Sequence, residues 1–427
     1  MLFIGMSKYT FPKEFIFGTA VASYQVEGGI YNNDWTHWEN KKGTVCAEPC
    51  NDACKHYEYL ENDIDLINTL GIKAFRFSME WSRIQPSEES FDEVAINHYV
   101  QKARILLKNN ITPVITFHHF TTPDWLEKYG YWASLKTTEA FVNYVSKMMD
   151  VLPKEVQYYN TINEPGIFSM FGYFSKKKFP PGVRNEKIFI TASENIIKAH
   201  KKALMVIKEK NPNAKVGMTH ALHEWDDSDN STFNKYLKYH LEDKFFYASD
   251  LDDFIGLQTY SIKRTSPNLI YRSLAWLLIK IPILRNYYFP IFLDTFSGRN
   301  DYVPPKARKT KMGYEYRPEA IKYNLHRIHS KFPDKDIFIT ENGIATDNDD
   351  ERVEFVTEVL KDVHAYQKNN GKVIGYLYWS LLDNFEWDLG YNMNFGLVEV
   401  NKSTFERNPH PSAFWFGEIS STNSFSD

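Results

Sequence analysis

Short apolar runs alternate along this chain with longer amphipathic segments. The apolar runs are nearly continuous, which is typical of parallel strands buried on both faces, and they lie at 15–20, 72–78, 112–118, 156–163, 215–219, 254–260, 336–340 and 373–379. Between most of them, apolar residues recur at helical spacing, which predicts helices at 53–70, 93–109, 138–152, 187–211, 318–330 and 350–370. Eight strand-then-helix units predict an α/β fold, the (β/α)8 TIM barrel.

The chain shows no repeats and no low-complexity linker. Its 427 residues exceed the usual size of one domain, but barrels of this kind run long without splitting. We therefore predict a single barrel domain over 7–420 with long loops after the strands, followed by a short C-terminal tail at 421–427.

Two of the predicted strands end in a carboxylate. The run after Val156 ends in Asn163 and Glu164 before a proline turns the chain, and the run after Asp336 ends in Glu341 before Asn-Gly. Loops at this end of the strands build the active site of a barrel enzyme. Hydrolysis of a glycosidic bond uses two carboxyl groups, one that donates a proton and one that is ionised. Two carboxyl groups placed close together can take these roles, because the charge of one raises the pKa of the other.

Composition narrows the choice of partners. The formal net charge is −4, from 54 acidic and 50 basic residues, which gives no reason to expect nucleic acid. Aromatic residues make up 16% and serve as core filling or as ring faces for a sugar. We expect no metal and no cofactor. The first residues lack the features of a signal peptide, so we expect a cytoplasmic protein.

The three cysteines stand close together at Cys46, Cys50 and Cys54. An odd, small number argues against a disulfide framework, and the spacing lacks the paired ligands of a zinc site. We expect free thiols, with a Cys46–Cys50 bridge as the less favoured alternative, and we place Cys54 on a buried helix face.

One strongly apolar segment covers 269–293, but Lys280, Pro282, Arg285 and Pro290 interrupt it. A membrane span needs about 20 apolar residues without such breaks, so we predict none here. We expect loop helices packed on the barrel or at a subunit contact, and an oligomer is possible. The alternative is an apolar wall beside the leaving-group site, or a lid that contacts lipid.

The motifs TINEP at 161–165 and ITENG at 339–343 resemble the paired signatures of glycoside hydrolase family 1, the retaining β-glycosidases. Further motifs resemble those of the family in the same order, and they are FIFGTAVASYQVEG (15–28), AFRFSMEWSR (74–83), FHHFTTPDW (117–125), YWSLLDNFEW (378–387), FGLV (395–398) and SAFW (412–415). The resemblance covers nearly the whole chain, and it implies the barrel fold reached above.

The resemblance also implies roles at matching positions. Glu164 would be the general acid/base and Glu341 the nucleophile that forms a glycosyl-enzyme. Arg76 and Tyr260 would contact the nucleophile, and Asn163 would bind the sugar 2-hydroxyl. The residues that would bind the rest of the terminal sugar are Gln25, His119, Glu386 and Trp387, with Trp379 as the platform below it.

Three positions depart from the family pattern. Gln258 stands where Asn is usual, Gly166 stands where Trp is usual, and Asn394 replaces a common Arg. The loss of an aromatic wall at Gly166 affects the leaving-group side. The segment 388–394 lacks the Ser and Lys pattern of the phospho-sugar branch, and Glu386 would repel a 6-phosphate. We therefore expect an unphosphorylated glycoside as the substrate.

The leading hypothesis is a retaining exo-β-glycosidase of β-glucosidase type that acts on a small-molecule glycoside by double displacement. Its two carboxyl groups should then lie about 5–5.5 Å apart. The alternatives are a transglycosidase, a glycolipid-directed β-glycosidase and a non-catalytic sugar-binding member. The preferred sugar, the natural leaving group and the oligomeric state stay open.

Overall fold

A computed structural model of the protein describes residues 7–226, 231–296, 302–369 and 371–426, without the side chains of 293, 295 and 296. Eight parallel strands close into a barrel, and they are β1 (Ile16–Ala20), β2 (Ala74–Ser78), β3 (Thr112–His118), β4 (Tyr158–Asn163), β5 (Lys215–Ala221), β6 (Phe254–Gln258), β7 (Asp336–Asn342) and β8 (Val373–Trp379). Strand β8 pairs with β1, which closes the ring. The predicted (β/α)8 barrel is confirmed.

Helices follow the strands and cover the barrel. The longer ones and those of the loops after β5 and β6 are α1 (Leu60–Leu70), α2 (Glu93–Lys108), α3 (Leu135–Val151), α4 (Glu186–Lys210), α5 (Thr232–Lys238), α6 (Leu269–Lys280), α7 (Pro282–Tyr287), α8 (Phe289–Phe296), α9 (Ala320–Lys331), α10 (Asp349–Lys368) and α11 (Pro411–Thr422). Local chemistry sets their ends. The Asp92 side chain, for example, accepts hydrogen bonds from the first free N–H groups of α2.

Shorter helical turns lie in the loops between these elements. They are Ser23–Glu27, Asp34–Glu39, Trp81–Ile84, Asp124–Tyr129, Tyr131–Ala133, Pro165–Ser169, Met170–Phe174, Tyr239–Asp243, Lys244–Phe246, Ser249–Leu251 and Trp387–Leu389. Two short strand pairs also lie in loops, Glu224–Trp225 with Ile262–Lys263 and Val398–Val400 with Arg407–Pro409.

Helix α1 begins at Leu60, several residues later than the sequence pattern predicted. Ala53 and Lys55 adopt left-handed backbone conformations, and the N–H of Cys54 donates to the distant carbonyl of Val26 at 3.0 Å. This long-range backbone bonding replaces the helical pattern. Cys54 is buried as expected, but its placement on a helix is wrong. All three cysteines are free thiols.

The two ends of the described chain meet. Lys8–Thr10 pairs antiparallel with Ser424–Ser426, on the side of the barrel where β1 begins. Helix α11 runs on to Thr422, past the predicted domain boundary at residue 420. The predicted tail therefore includes a hydrogen-bonded strand, and the boundary itself stays a prediction.

The apolar segment 269–293 lies in helices α6 to α8, in the connection after β6. Ala275, Leu278 and Phe289 bury their side chains against the loops of the barrel, and the Phe289 ring lies 5.8 Å from that of Phe174. Within the described ranges, no helix combines the length and apolar character that a bilayer crossing requires.

Candidate active site

A cavity of about 180 Å³ opens at the carboxyl ends of the strands. Nine of the ten predicted site residues line it, and these are Gln25, His119, Asn163, Glu164, Tyr260, Glu341, Trp379, Glu386 and Trp387. The tenth, Arg76, lies behind the wall, fully buried, and forms an ion pair with Glu341. Residues from distant parts of the chain thus meet at one site, as loops at this end of a barrel allow.

Both glutamates follow an interruption in strand pairing. Along β4 and β5 the register shifts between Asn160 and Asn163, just before Glu164. Along β7 and β6 it shifts between Ile339 and Glu341. Irregularities of this kind re-aim side chains next to active sites. Here each one directly precedes a carboxylate at the cavity.

The chain turns sharply at Glu164. Its backbone lies in the left-handed region, with φ 41° and ψ 57°, and Pro165 begins the next helical turn. The Glu164 N–H donates to the carbonyl of Thr219 on β5 at 3.0 Å, which ties this turn to the barrel. The backbone that carries the Glu164 carboxyl group is therefore held by a hydrogen bond to the barrel.

Glu341 is held by two donors. The Arg76 guanidinium binds one carboxylate oxygen, and the Tyr260 hydroxyl donates to the other at 2.9 Å. Burial and the nearby Glu341 charge raise the pKa of Tyr260 well above its ordinary value, so the phenol keeps the proton that it donates. A carboxylate aimed by two donors is prepared to act as a nucleophile.

The two glutamates have different electrostatic environments. Burial, and then the negative charge of Glu341, raise the pKa of Glu164 well above its usual value. Burial also raises the pKa of Glu341, but Arg76 and Tyr260 act in the opposite direction and limit the shift. Glu164 is thus the group that holds a proton, and Glu341 is the group that loses it first.

Asn163 sits at the centre of a polar network. Its side-chain oxygen accepts from Arg76 at 2.6 Å, Gln258 at 2.8 Å and Thr219 at 3.0 Å. Its amide nitrogen therefore faces Nε2 of His119, 3.2 Å away. Burial and Arg76 lower the pKa of His119 well below its ordinary value, so the ring is neutral and Nε2 can accept.

Some polar atoms at this cavity have no partner within the part of the chain that the structure describes. They are Oε1 of Gln25, Nδ1 of His119 and Oε1 of Gln258, all buried. Leaving such atoms unpaired costs about 1–3 kcal/mol each. A hydroxyl-rich ligand would satisfy them, because each sugar hydroxyl both donates and accepts.

The whole chain matches one family model, described as glycosyl hydrolase family 1, over residues 7–253 and 242–425. This chain belongs to glycosyl hydrolase family 1. The family resemblance seen in the sequence is confirmed. The activity known for this family, retaining exo-β-glycosidase activity, is confirmed with it.

Relatives and solved structures agree with this membership. The chain is 31% identical to β-glucosidase A of Acetivibrio thermocellus, over 98% of this chain and all of that protein. It is 28% identical to a 6-phospho-β-galactosidase of Staphylococcus aureus, over 97% and 98%. A solved β-glycosidase from Pyrococcus horikoshii superposes with a TM-score of 0.85 at 32% identity, over 99% of this chain and 97% of that one.

Aromatic rings line one side of this family 1 cavity, the side that the sequence resemblance assigns to the sugar and that is called the sugar side below. The ring of His119 lies nearly parallel to those of Trp379 and Trp387, with centroids 5.9 and 6.1 Å away. Gln25 donates to a carboxylate oxygen of Glu386 at 3.3 Å, which holds that group beside the rings. Apolar faces next to hydroxyl-binding groups match the two kinds of surface that a sugar presents.

His118 does not line the cavity, although the next residue, His119, does, because successive side chains of a strand point to opposite faces. Its Nε2 lies 3.2 Å from the Thr122 hydroxyl, and its ring packs 5.1 Å from that of Trp132. It is a buried packing residue between the barrel and a loop.

The leaving-group side holds residues that the sequence did not point to. A Cβ atom at Gly166 would lie 1.7 Å from the carbonyl oxygen of Leu241, so the backbone of Tyr239–Asp243 fills the space of any side chain there. The cavity wall beyond Glu164 is instead formed by Ile167, Phe171 and Leu241. The glycine was visible in the sequence as a departure, but its distant partner had no local signal.

Proposed function

We propose that the protein hydrolyses β-glycosides that carry an unphosphorylated terminal sugar of glucose or galactose type. The observation that carries the proposal is the pair of glutamates at the ends of β4 and β7, which share one cavity but differ in their partners. Glu341 is held by two donors, while the pKa of Glu164 is raised.

In the proposed reaction Glu341 attacks the anomeric carbon while Glu164 protonates the departing oxygen. The bond to the leaving group breaks, and a glycosyl-enzyme forms at Glu341. Glu164, now ionised, then takes a proton from water, which attacks the same carbon and frees Glu341. Two inversions give net retention of configuration.

The polar network assigns the binding roles. We infer that the Asn163 amide nitrogen contacts the sugar 2-hydroxyl, since Arg76, Gln258 and Thr219 occupy its oxygen. Gln25 and His119 contribute the unpaired atoms for further hydroxyls.

The choice of an unphosphorylated sugar follows from Glu386. This carboxylate lines the cavity on the side of Gln25 and Trp387, where the distal hydroxyls of the sugar would lie. A 6-phosphate placed there would meet a like charge at close range. The staphylococcal relative is named a 6-phospho-β-galactosidase. The charge of Glu386 is therefore the feature by which we distinguish an unphosphorylated from a 6-phosphorylated substrate.

The experiment compares nitrophenyl β-glucoside and β-galactoside with their 6-phosphates. We expect the neutral sugars to be hydrolysed with retention, as followed by NMR of the first-formed anomer, and the 6-phosphates to be poor substrates. A Glu341→Gly protein should lose at least about 10⁴-fold in kcat. Preference for the 6-phosphates, or inversion, would overturn the proposal. Added alcohol acceptors measure the share of transglycosylation.

We also propose a cytoplasmic location. The support is chemical, because free thiols in a chain of this length suit a reducing compartment. Cell fractionation with antibody detection tests it, and recovery of the protein outside the cytoplasm would contradict it.

A lipid surface is the partner that we propose for helices α6 to α8. Leu269, Ile270 and Trp276 expose 77%, 81% and 52% of their surfaces. Between 269 and 293 the chain has the cations Arg272, Lys280 and Arg285 but no acidic residue. Arg285 is paired with Glu186 at 2.6 Å, so Arg272 and Lys280 are the cations that suit an anionic bilayer surface.

Flotation with anionic vesicles tests this proposal, with Trp276→Ser/Ile270→Ser as the variant that should lose binding. Light scattering tests the alternative that a second copy of the chain covers this face. A dimer that the same substitutions dissociate, without vesicle binding, would replace the lipid by a second copy of the chain.

A further inference from the structure

A second cavity of about 80 Å³ adjoins the active site. Four residues line both cavities, Phe171, Lys178, Leu241 and Lys263. Leu241 is the residue whose backbone lies against Gly166, two positions after Glu164. The shared wall is therefore on the side where Glu164 protonates the leaving group, so a substituent on that group points towards the second cavity.

Apolar and aromatic side chains form one side of this second cavity. Beyond the shared wall its apolar and aromatic lining is Met170, Trp225, Phe233, Leu237 and Tyr271, from the loops after β4, β5 and β6, and its uncharged polar lining is Ser175, Asn234, Thr265, Ser266 and Tyr302. The rings of Phe233 and Tyr271 meet edge to face at 5.8 Å, which gives the cavity a fixed aromatic side.

Four charged residues line the second cavity. Lys178 and Lys263 belong to the shared wall, where the Lys178 ammonium lies 4.8 Å from the centre of the Phe171 ring, and the other two are paired with protein groups. Arg264 binds Glu315 at 2.8 Å and Asp226 at 3.0 Å, and Asp294 binds Arg184 at 3.1 Å. These charges are neutralised within the protein, so they offer little to an ionic ligand. A hydrocarbon would instead gain from burial against the rings and aliphatic side chains.

We propose that the second cavity binds the hydrocarbon chain of an amphiphilic β-glycoside whose sugar occupies the first cavity. The inference rests on the proposed function, which it extends to the class of leaving group. About 10–15 Å³ of such space holds one water-sized group. A cavity of about 80 Å³ thus suits a narrow chain of several methylene groups better than another sugar ring.

The second cavity lies close to the protein surface. Phe233 lines both the second cavity and a surface groove beside α6, where Leu269, Trp276 and Leu277 lie. Leu269 and Trp276 belong to the exposed apolar face described above, and Leu277 beside them exposes 39% of its surface. The Phe233 ring thus stands between the second cavity and an apolar surface groove, and a longer hydrocarbon chain would have to pass this ring to reach the surface.

The first experiment is a chain-length series of alkyl β-glucosides from methyl to dodecyl, each below its micelle concentration. Burial of one methylene is worth about 0.8 kcal/mol, so kcat/KM should rise about threefold to fourfold per carbon once the chain enters the cavity. Cellobiose and cellotriose form the comparison arm. A rise with added sugar units but not with alkyl carbons would overturn the proposal in favour of a sugar subsite.

Two variants localise the effect. Ser266→Trp fills the second cavity with a ring, and Leu237→Glu puts a charge on its apolar side, while neither residue lines the first cavity. Each should lower the octyl-to-methyl ratio of kcat/KM about tenfold or more. Ser403→Trp and Met205→Glu are matched controls, because both positions are exposed elsewhere, and their ratios should equal that of the wild type.

The outcomes separate this proposal from the proposed function. If the wild type hydrolyses nitrophenyl β-glucoside but octyl is no better than methyl, the tail site is wrong and the glycosidase function stands. If the wild type hydrolyses neither nitrophenyl β-glucoside nor the alkyl β-glucosides, the proposed function is wrong. If both variants keep the wild-type ratio, the chain binds elsewhere. Repeating the series with vesicles distinguishes chains taken from solution from chains taken from a bilayer.

Discussion

The two sides of the active-site cavity are built by different means. On the sugar side, side chains such as Asn163, Glu341 and Trp379 stand at the ends of barrel strands, and polar atoms bind one another in a dense network. On the leaving-group side, Phe171 and Leu241 come from loop turns and present apolar surface. Loop turns also supply Gln25 and Trp387 to the sugar side, so the two sides differ in that strand ends carry part of the sugar side, whereas loop turns form the leaving-group side.

The largest loss of activity should follow substitution of Glu164, which lies between the sugar side and the leaving-group side. For an alkyl glucoside, Glu164→Gln should lower kcat about 10²–10⁴-fold, because the departing alkoxide then receives no proton. For a dinitrophenyl glucoside, which leaves without protonation, the first step should be nearly unaffected. Burst kinetics measure the difference. An equal loss in the first step for both substrates would show that Glu164 acts on the sugar side instead.

The same residue determines the pH profile. Activity should fall at high pH when Glu164 loses its proton, and burial plus the Glu341 charge move that limb to higher pH. Activity should fall at low pH when Glu341 gains a proton. In Glu164→Gln the basic limb of kcat/KM should disappear while the acidic limb remains. A basic limb that persists would belong to another group.

Substitution of Gly166 should have an intermediate effect on stability and on selectivity among leaving groups. Gly166→Ala places a methyl group against the Leu241 carbonyl, so Tyr239–Asp243 must shift. We expect the free energy of unfolding to fall by about 1–3 kcal/mol, together with a loss of selectivity among leaving groups. Chemical denaturation measures the first, and the alkyl series measures the second. Unchanged values for both would mean that the two segments move apart freely.

Gln258 should give the smallest effect, and on the sugar side alone. Gln258→Asn shortens the donor that binds Asn163 and restores the residue usual in the family. Loss of this hydrogen bond should change kcat/KM by about twofold to tenfold. The change should be the same for every leaving group on one sugar. A change that depends on the leaving group would contradict the division between the two sides.

The strands and the sugar side could be read from the sequence because their signals are local. Near-continuous apolar runs located all eight barrel strands, and ordered motifs pointed to residues such as Glu164 and Glu341 at their ends. A closed barrel then brings strand ends together whatever their separation along the chain. The ten predicted site residues consequently meet, although their individual roles stay predictions.

The errors and omissions depend on contacts between distant segments. The start of α1 was misplaced because the Cys54 N–H bonds to Val26 rather than to its own helix. The approach of Leu241 to Gly166 joins loops after different strands, and neither loop alone carries a pattern that requires it. The second cavity arises in the same way, since three separate loops line it.

The left-handed backbone of Glu164 has a consequence for stability. A residue with a Cβ atom pays roughly 1–2 kcal/mol in this conformation, and here it also carries a partly buried carboxyl group. Glycine adopts the conformation without that cost. We therefore expect a Glu164→Gly protein to unfold at a higher temperature than the wild type while losing its activity. The fold would then be more stable without the residue proposed as acid catalyst, and a scan for thermostable variants would select against catalysis at this position.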